Sequence, residues 1–334
     1  MIAAAVLLLH IATPAQIKQP RPPKQQPNAA VLYRHALKEA VDAIPDRTKR
    51  GIILPREADR DNPGYTGKAW RDAVRKTAVA ISLFRQATQI QACNFDATPK
   101  YGNTELADKV LRIHELRQLV VAQAWQQFET DPRSLEVTAM QLLRHASHCM
   151  QDPSLVGHAT GFEAEATAAK MLQASLKQLA KQSDAKADAT RLLKQLEQHF
   201  SARPTRASLA TMASKEFAAM LANGLGEAVK NPALKPAFKR ALELHGEIVA
   251  PLLQDPTVTV KALRAHSKTH VNRLLKMTRG KQSSDILKNG TGETLAAVMV
   301  TLCFTDVSDF LQMWLTSQEK LDACQAELAK LAVK

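Results

Sequence analysis

Beyond residue 100, four Asx-Pro pairs punctuate this chain: Asp131-Pro132, Asp152-Pro153, Asn231-Pro232 and Asp255-Pro256. An Asp or Asn side-chain oxygen accepts one of the orphan backbone N–H groups at a helix start. Proline has no N–H to leave orphaned and suits the first helical position. Each pair therefore reads as a helix start, with Asp131 and Asp152 as N-caps. Between Asn103 and Leu179 two of them separate three apolar stripes. The first is Leu106, Val110, Ile113, Val120, Ala124 and Phe128. The second is Leu135, Ala139, Leu142, Ala146 and Met150. The third runs through Leu155, Ala159, Phe162, Ala166, Ala169, Leu176 and Leu179. Spacing by three and four is one face of a helix, and links this short favour antiparallel neighbours. Gly157 and Gly161 lie one turn apart on the third stripe. Glycine inside a helix costs about 1 kcal/mol relative to alanine, so the pair predicts a close approach by a neighbouring helix.

The rest of the chain carries the same signal. Further helices are expected over Ala30–Ile44, stopped by Pro45, over Trp70–Ala92, and up to Phe200, where Arg203-Pro204 breaks the pattern. Others follow over Leu209–Val229, Ala233–Leu253 and Val258–Met277, with Pro251 expected to kink or end its helix early. Leu295–Phe304 and Phe310–Leu331 are expected to close the chain as a hairpin. Asp46–Lys68 and Gly280–Gly292 read as loops. Aromatic residues make up only 4% of the chain, whereas strands are enriched in aromatic and β-branched residues. The one Asn-Gly pair, Asn289-Gly290, has no strand pattern on either side. The fold class is all-α. The Asx-Pro spacing is not constant and no tetratricopeptide signature is present. The expected architecture is therefore irregular stacked helical hairpins, a degenerate α-solenoid or a helical bundle.

The N-terminus has a different character. Ile2–Ile11 is apolar, and the small residues Ala12, Thr13 and Ala15 follow. The run is too short to span a bilayer and matches the core and cleavage region of a secretory signal, although no Lys or Arg precedes it. Gln16–Pro27, with Pro20, Pro22, Pro23 and Pro27, reads as an extended tether. The expected organisation is a signal peptide at 1–15, a tether at 16–27, a helical region at 28–200 and a second at 201–334, or one continuous domain spanning both. The expected location is outside the cytoplasm, periplasmic or secreted.

Several short stretches carry a family resemblance. They are Asn28–Leu37, Cys93-Asn94-Phe95, Leu116-Arg117-Gln118-Leu119, Leu142-Leu143-Arg144-His145-Ala146 with Asp152–Val156 after it, and Glu216 within its helix. In these the chain resembles a group of uncharacterised exported helical proteins of planctomycete bacteria. The resemblance implies export and a helical fold, and it brings no activity or site residues with it.

The sequence offers few constellations with a chemistry. No G-x-S-x-G, Walker A loop or dinucleotide fingerprint is present, and no catalytic residue, cofactor or metal is assigned. His145, His148, Cys149, His158, Glu163 and Glu165 form the densest polar cluster. Zinc needs three or four converging ligands, the spacing fits no established motif, and partly buried histidines are the expected reading. His266 and His270 are one turn apart, but Ser267 stands where an H-E-x-x-H site has glutamate. Glu163, Glu165 and Glu216 would serve as a carboxylate pair only if two of them met in space. The four cysteines show no C-x-x-C pair, and an even count leaves disulfides open.

The sharpest feature is Thr257–Lys281. It holds Lys261, Arg264, Lys268, Arg273, Lys276, Arg279 and Lys281 and no acidic residue, in a chain of formal net charge +13. Val260, Leu263, Val271 and Leu274 mark the other face. A basic amphipathic helix suits an anionic surface, polymer or acidic protein. The plainer reading is a solvated face balanced by acids on neighbouring helices. Lys261, Arg264, Lys268, Arg273, Lys276 and Arg279 are the candidate binding residues of an exported, non-enzymatic helical binding or scaffolding protein. The alternative is a hydrolase or lytic enzyme with its site in an inter-helix groove. A cytoplasmic nucleic-acid binder requires that the N-terminal signal be false.

Overall fold

The computed structural model describes residues 27–44, 65, 67–95, 104–151, 154–181, 184–225, 231–278, 292–303 and 306–333. Among these residues it holds twelve α-helices, one 3₁₀ turn and no strand, as the apolar periodicity requires. The signal peptide, all of the tether except Pro27, and most of the two loops at 46–68 and 280–292 lie outside the described residues.

The helices are α1 (Ala29–Ala43), α2 (Lys68–Lys76), α3 (Ala78–Ala87), α4 (Thr104–Gln127), α5 (Arg133–Met150) and α6 (Leu155–Leu179). They continue as α7 (Ala185–Ser201), α8 (Arg206–Leu225), α9 (Lys235–Gln254), α10 (Val260–Thr278), α11 (Gly292–Leu302) and α12 (Val307–Val333). Two of the Asx-Pro starts cap as expected. Asp131 Oδ1 accepts from Arg133 N at 3.1 Å, and Asn231 Oδ1 accepts from Ala233 N at 3.0 Å, opening the 3₁₀ turn before α9. At the other two the cap lies further on. Ser154 caps α6 through Gly157 N at 3.0 Å; Asp152 lies outside the described residues. Asp255 closes a turn on Thr257 N at 2.7 Å, and Thr259 Oγ1 then caps α10 through Ala262 N. At the start of α10 the hydroxyl nearer the first turn competes successfully for the orphan N–H groups.

The single helix expected over 70–92 is broken at Thr77, which leaves helical geometry (φ −99, ψ 18). Its hydroxyl donates to Ala73 O at 2.8 Å, the back-bond by which threonine bends a helix. Conversely, Pro251 does not end its helix, and α9 runs on to Gln254. Proline at 251 leaves the carbonyl of Glu247, four residues back, without its intrahelical donor. His266 Nε2 of α10 donates to that carbonyl at 2.9 Å, so the half-buried acceptor is paired and the helix continues.

The α5–α6 pair forms the centre. The N-terminal helices α1–α4 pack on one another and α4 packs on α5, with the Tyr33 and Phe84 rings against His145 and Trp70, Tyr33 and Phe84 among the largest buried side chains. On the other side α6 packs on α12. The expected hairpin of the last two helices does not form: α11 packs on α9 and α10, while α12 runs back along α6 and α7. The apolar residues decide this, because Leu321, Cys324 and Leu328 of α12 are buried in the same cluster as α1–α7. A second cluster lies among α8–α11. A third, with Leu155, Phe162, Leu209, Leu252, Leu263 and Leu311, joins the two.

Gly161 accounts for the intimacy of the central pair. A Cβ there would lie 2.8 Å from Met150 Cγ and 3.1 Å from the Ala146 carbonyl oxygen of α5. The methionine could yield, but the backbone oxygen could not. The close packing this permits offsets the helical cost of glycine.

Candidate functional site

Helix α10 sorts the basic residues into two kinds. Leu263, Ser267 and Leu274 are buried. At about 100° per residue, Lys261, Lys268 and Lys276 fall on the side away from them, and Arg264 and Arg273 fall on the two flanks. The flanking arginines reach carboxylates on neighbouring helices. Arg264 Nη2 pairs with Asp309 of α12 at 2.7 Å, and Arg273 Nη2 with Glu247 of α9 at 2.8 Å. Both pairs are more than a third exposed, so each adds little stability, but each cancels a charge. The solvated-face reading therefore holds at these two positions. Lys261, Lys268 and Lys276 are exposed and make no hydrogen bond or ion pair. Arg279 lies outside the described residues.

The histidines of the same helix serve packing. His266 fills the Pro251 gap, and its ring lies 4.4 Å from that of His270. Burial, then the charges of His266 and Arg273, push the His270 imidazolium below its ordinary value, against the pull of Glu247.

A second constellation escaped the sequence reading. Glu165 of α6 is wholly buried and receives Arg203 Nε at 2.8 Å, Arg203 Nη2 at 2.7 Å and His199 Nε2 at 2.7 Å. Arg203 also bonds Trp314 O at 3.0 Å and the side chains of Ser317 and Gln318, all on α12. Its guanidinium lies 5.0 Å from the Trp314 ring and 5.7 Å from that of Phe162. Burial alone would raise the Glu165 carboxyl; the hydrogen bonds from His199 and Arg203 and the charge of Arg203 hold it below its ordinary value instead. Ser147 Oγ stands 3.2 Å from His199 Nδ1, giving serine, histidine and glutamate in triad order. Ser147 sits inside α5, however, where neighbouring N–H groups donate along the helix. They do not form the paired donors of an oxyanion hole. The chain of bonds ties α5, α6, α7 and α12 together.

The remaining candidates separate. Glu163 faces α4, meeting Arg117 Nη2 at 3.0 Å and His114 Nδ1 at 3.1 Å. Glu216 of α8 accepts from Leu155 N at 2.7 Å, the favourable place for a carboxylate at the start of α6. Glu163, Glu165 and Glu216 thus serve three different partners and make no carboxylate pair. His148 donates through Nε2 to Ile90 O at 2.8 Å, which leaves Nδ1 to accept from the buried Tyr33 hydroxyl at 3.0 Å. His145 lies 3.5 Å from Cys149 Sγ, while His158 turns to its own helix at Ser154 O. Among the described residues no group of three His, Cys, Asp or Glu is placed to hold a metal ion. None of the four cysteines is joined in a disulfide.

A groove of about 880 Å³ runs past Trp314, Phe200, Arg206 and Leu253, with Glu197 and Asp322 also lining it. Both acids are exposed, whereas a general-acid carboxyl is normally held in an apolar pocket. No described helix is long and apolar enough to cross a membrane. Comparison with models of known protein families, with curated proteins and with solved structures finds no match to this chain. The functional reading therefore rests on its own residues.

Proposed function

We propose that this is a non-enzymatic helical binding or scaffolding protein that meets an anionic partner through Lys261, Lys268 and Lys276. One observation carries the reading: these three charges share the outer side of α10 with no ion pair to an acid among the described residues, while Leu263 and Leu274 anchor that helix in the core. The helix is held whether or not a partner is present, so little ordering is needed on binding.

Binding to inorganic polyphosphate at low ionic strength tests this. Affinity should fall steeply as salt rises, since exposed charges are screened over about 10 Å at 0.1 M. Replacing the three lysines with Gln should abolish binding and leave the circular dichroism spectrum intact, because Gln is nearly as good a helix former as Lys. Replacing Arg264 and Arg273 with Gln should have a much smaller effect, since their charges are already met by Asp309 and Glu247. Equal losses from both sets, or no binding by the wild type, would overturn the assignment.

We further propose that the chain is exported. The apolar run Ile2–Ile11 with Ala12, Thr13 and Ala15 after it supports this, as does the resemblance noted above. Mass spectrometry of protein from its native host should find a mature N-terminus between Ala12 and Gln16. An intact Met1 would count against export.

A further inference from the structure

We infer that the partner of the lysine ridge is a bilayer surface carrying anionic headgroups. This rests on the ridge being a binding surface and goes further by naming what it meets. Lys261, Lys268 and Leu275 follow at seven-residue intervals, which keeps them close to one line along α10, about 21 Å long at about 1.5 Å per residue. Leu275 is 48% exposed, and the exposed Lys276 is next to it. A soluble polyanion would use the charges and leave this leucine in water. A bilayer offers phosphates to the lysines and an apolar layer just beneath them for the leucine.

The charge chemistry agrees. Lysine is a compact point charge suited to a diffuse field of headgroups, whereas arginine presents a fork that grips one phosphate. On α10 the forks are engaged by Asp309 and Glu247, and the point charges are free. The ridge has no aromatic side chain on which a base could stack, the device that single-stranded nucleic-acid sites use. The apolar side of α10 is already buried at Leu263 and Leu274. The helix would therefore lie on the membrane by its charged side, as part of the folded protein, and not unpack to insert.

Co-sedimentation of the full-length protein with vesicles tests this. One set is equal parts phosphatidylglycerol and phosphatidylcholine, a second is phosphatidylcholine alone, and polyphosphate serves as the soluble anion. The wild type should bind the anionic vesicles and not the neutral ones. Each single Lys→Gln change at 261, 268 or 276 should lower partition about fivefold. Leu275→Gln should lower partition about tenfold and leave polyphosphate binding unchanged. The apolar run at 2–11 is common to every variant, so the differences isolate the ridge. Binding to polyphosphate but not to anionic vesicles would overturn the membrane inference and leave the anionic-partner reading standing. Undiminished vesicle binding by Leu275→Gln would likewise overturn it. Undiminished binding of both anions by the triple lysine variant would overturn both readings.

Discussion

Arg203→Met is expected to destabilise the protein by about 3–5 kcal/mol, the usual loss when one member of a buried ion pair is removed. Glu165 would then be left wholly buried with His199 as its remaining side-chain hydrogen-bond partner. Trp314 O and the side chains of Ser317 and Gln318 would lose the donors that fasten α12 to α6 and α7. The variant Glu165→Leu with Arg203→Met should recover most of the loss, because replacing both partners by apolar groups removes the stranded charge. Urea unfolding measures both. A single variant as stable as the wild type, or a double variant no better than the single one, would show that the network is not what holds α12 in place.

Acid should unfold this protein earlier than its carboxylates alone would dictate. Burial lowers the pKa values of His148 and His245 from 6.5 to about 4, and it holds that of His145 well below 6.5. In each case the folded state holds the ring neutral while the unfolded chain takes up a proton below pH 6.5. The stability these sites contribute is whole above pH 6.5 and drains away as pH falls towards 4. A shift of that size corresponds to about 3 kcal/mol per residue. Losing about 6 kcal/mol from His148 and His245 would consume much of the 5–15 kcal/mol typical of a whole protein. The depressed carboxyls of Glu165 and Glu163 would add to the loss only below their ordinary value of 4.5. His245 lies flat against Phe217 with ring centroids 4.1 Å apart, so His245→Phe should preserve the stacking and remove its share of the acid sensitivity. Urea midpoints followed from neutral pH down to about 4 check this. A flat profile between pH 6.5 and 4.5 in the wild type would rule it out.

The helix starts were legible because capping and apolar periodicity act within one or two turns of the residues concerned. Asp131, Asn231 and the stripes between 113 and 179 needed no knowledge of the rest of the chain. Gly161 was legible for the same reason: an unexplained helical glycine predicts a close neighbour, and Ala146 and Met150 supply one. The basic character of α10 was visible too, since charge is a property of composition.

Tertiary structure decided which of those charges remain free. Arg264 and Arg273 are neutralised by residues 45 and 26 positions away, and nothing local distinguishes them from Lys261 or Lys268. That Pro251 does not end its helix was not legible, because the donor that relieves it, His266, comes from the next helix. The Glu165–Arg203 hub links positions 38 apart and reaches a further 111 to 115 residues into α12. Its members carry no shared spacing or motif. Such pairings follow from which helix faces are buried against each other, and the apolar side chains of the whole chain settle that together.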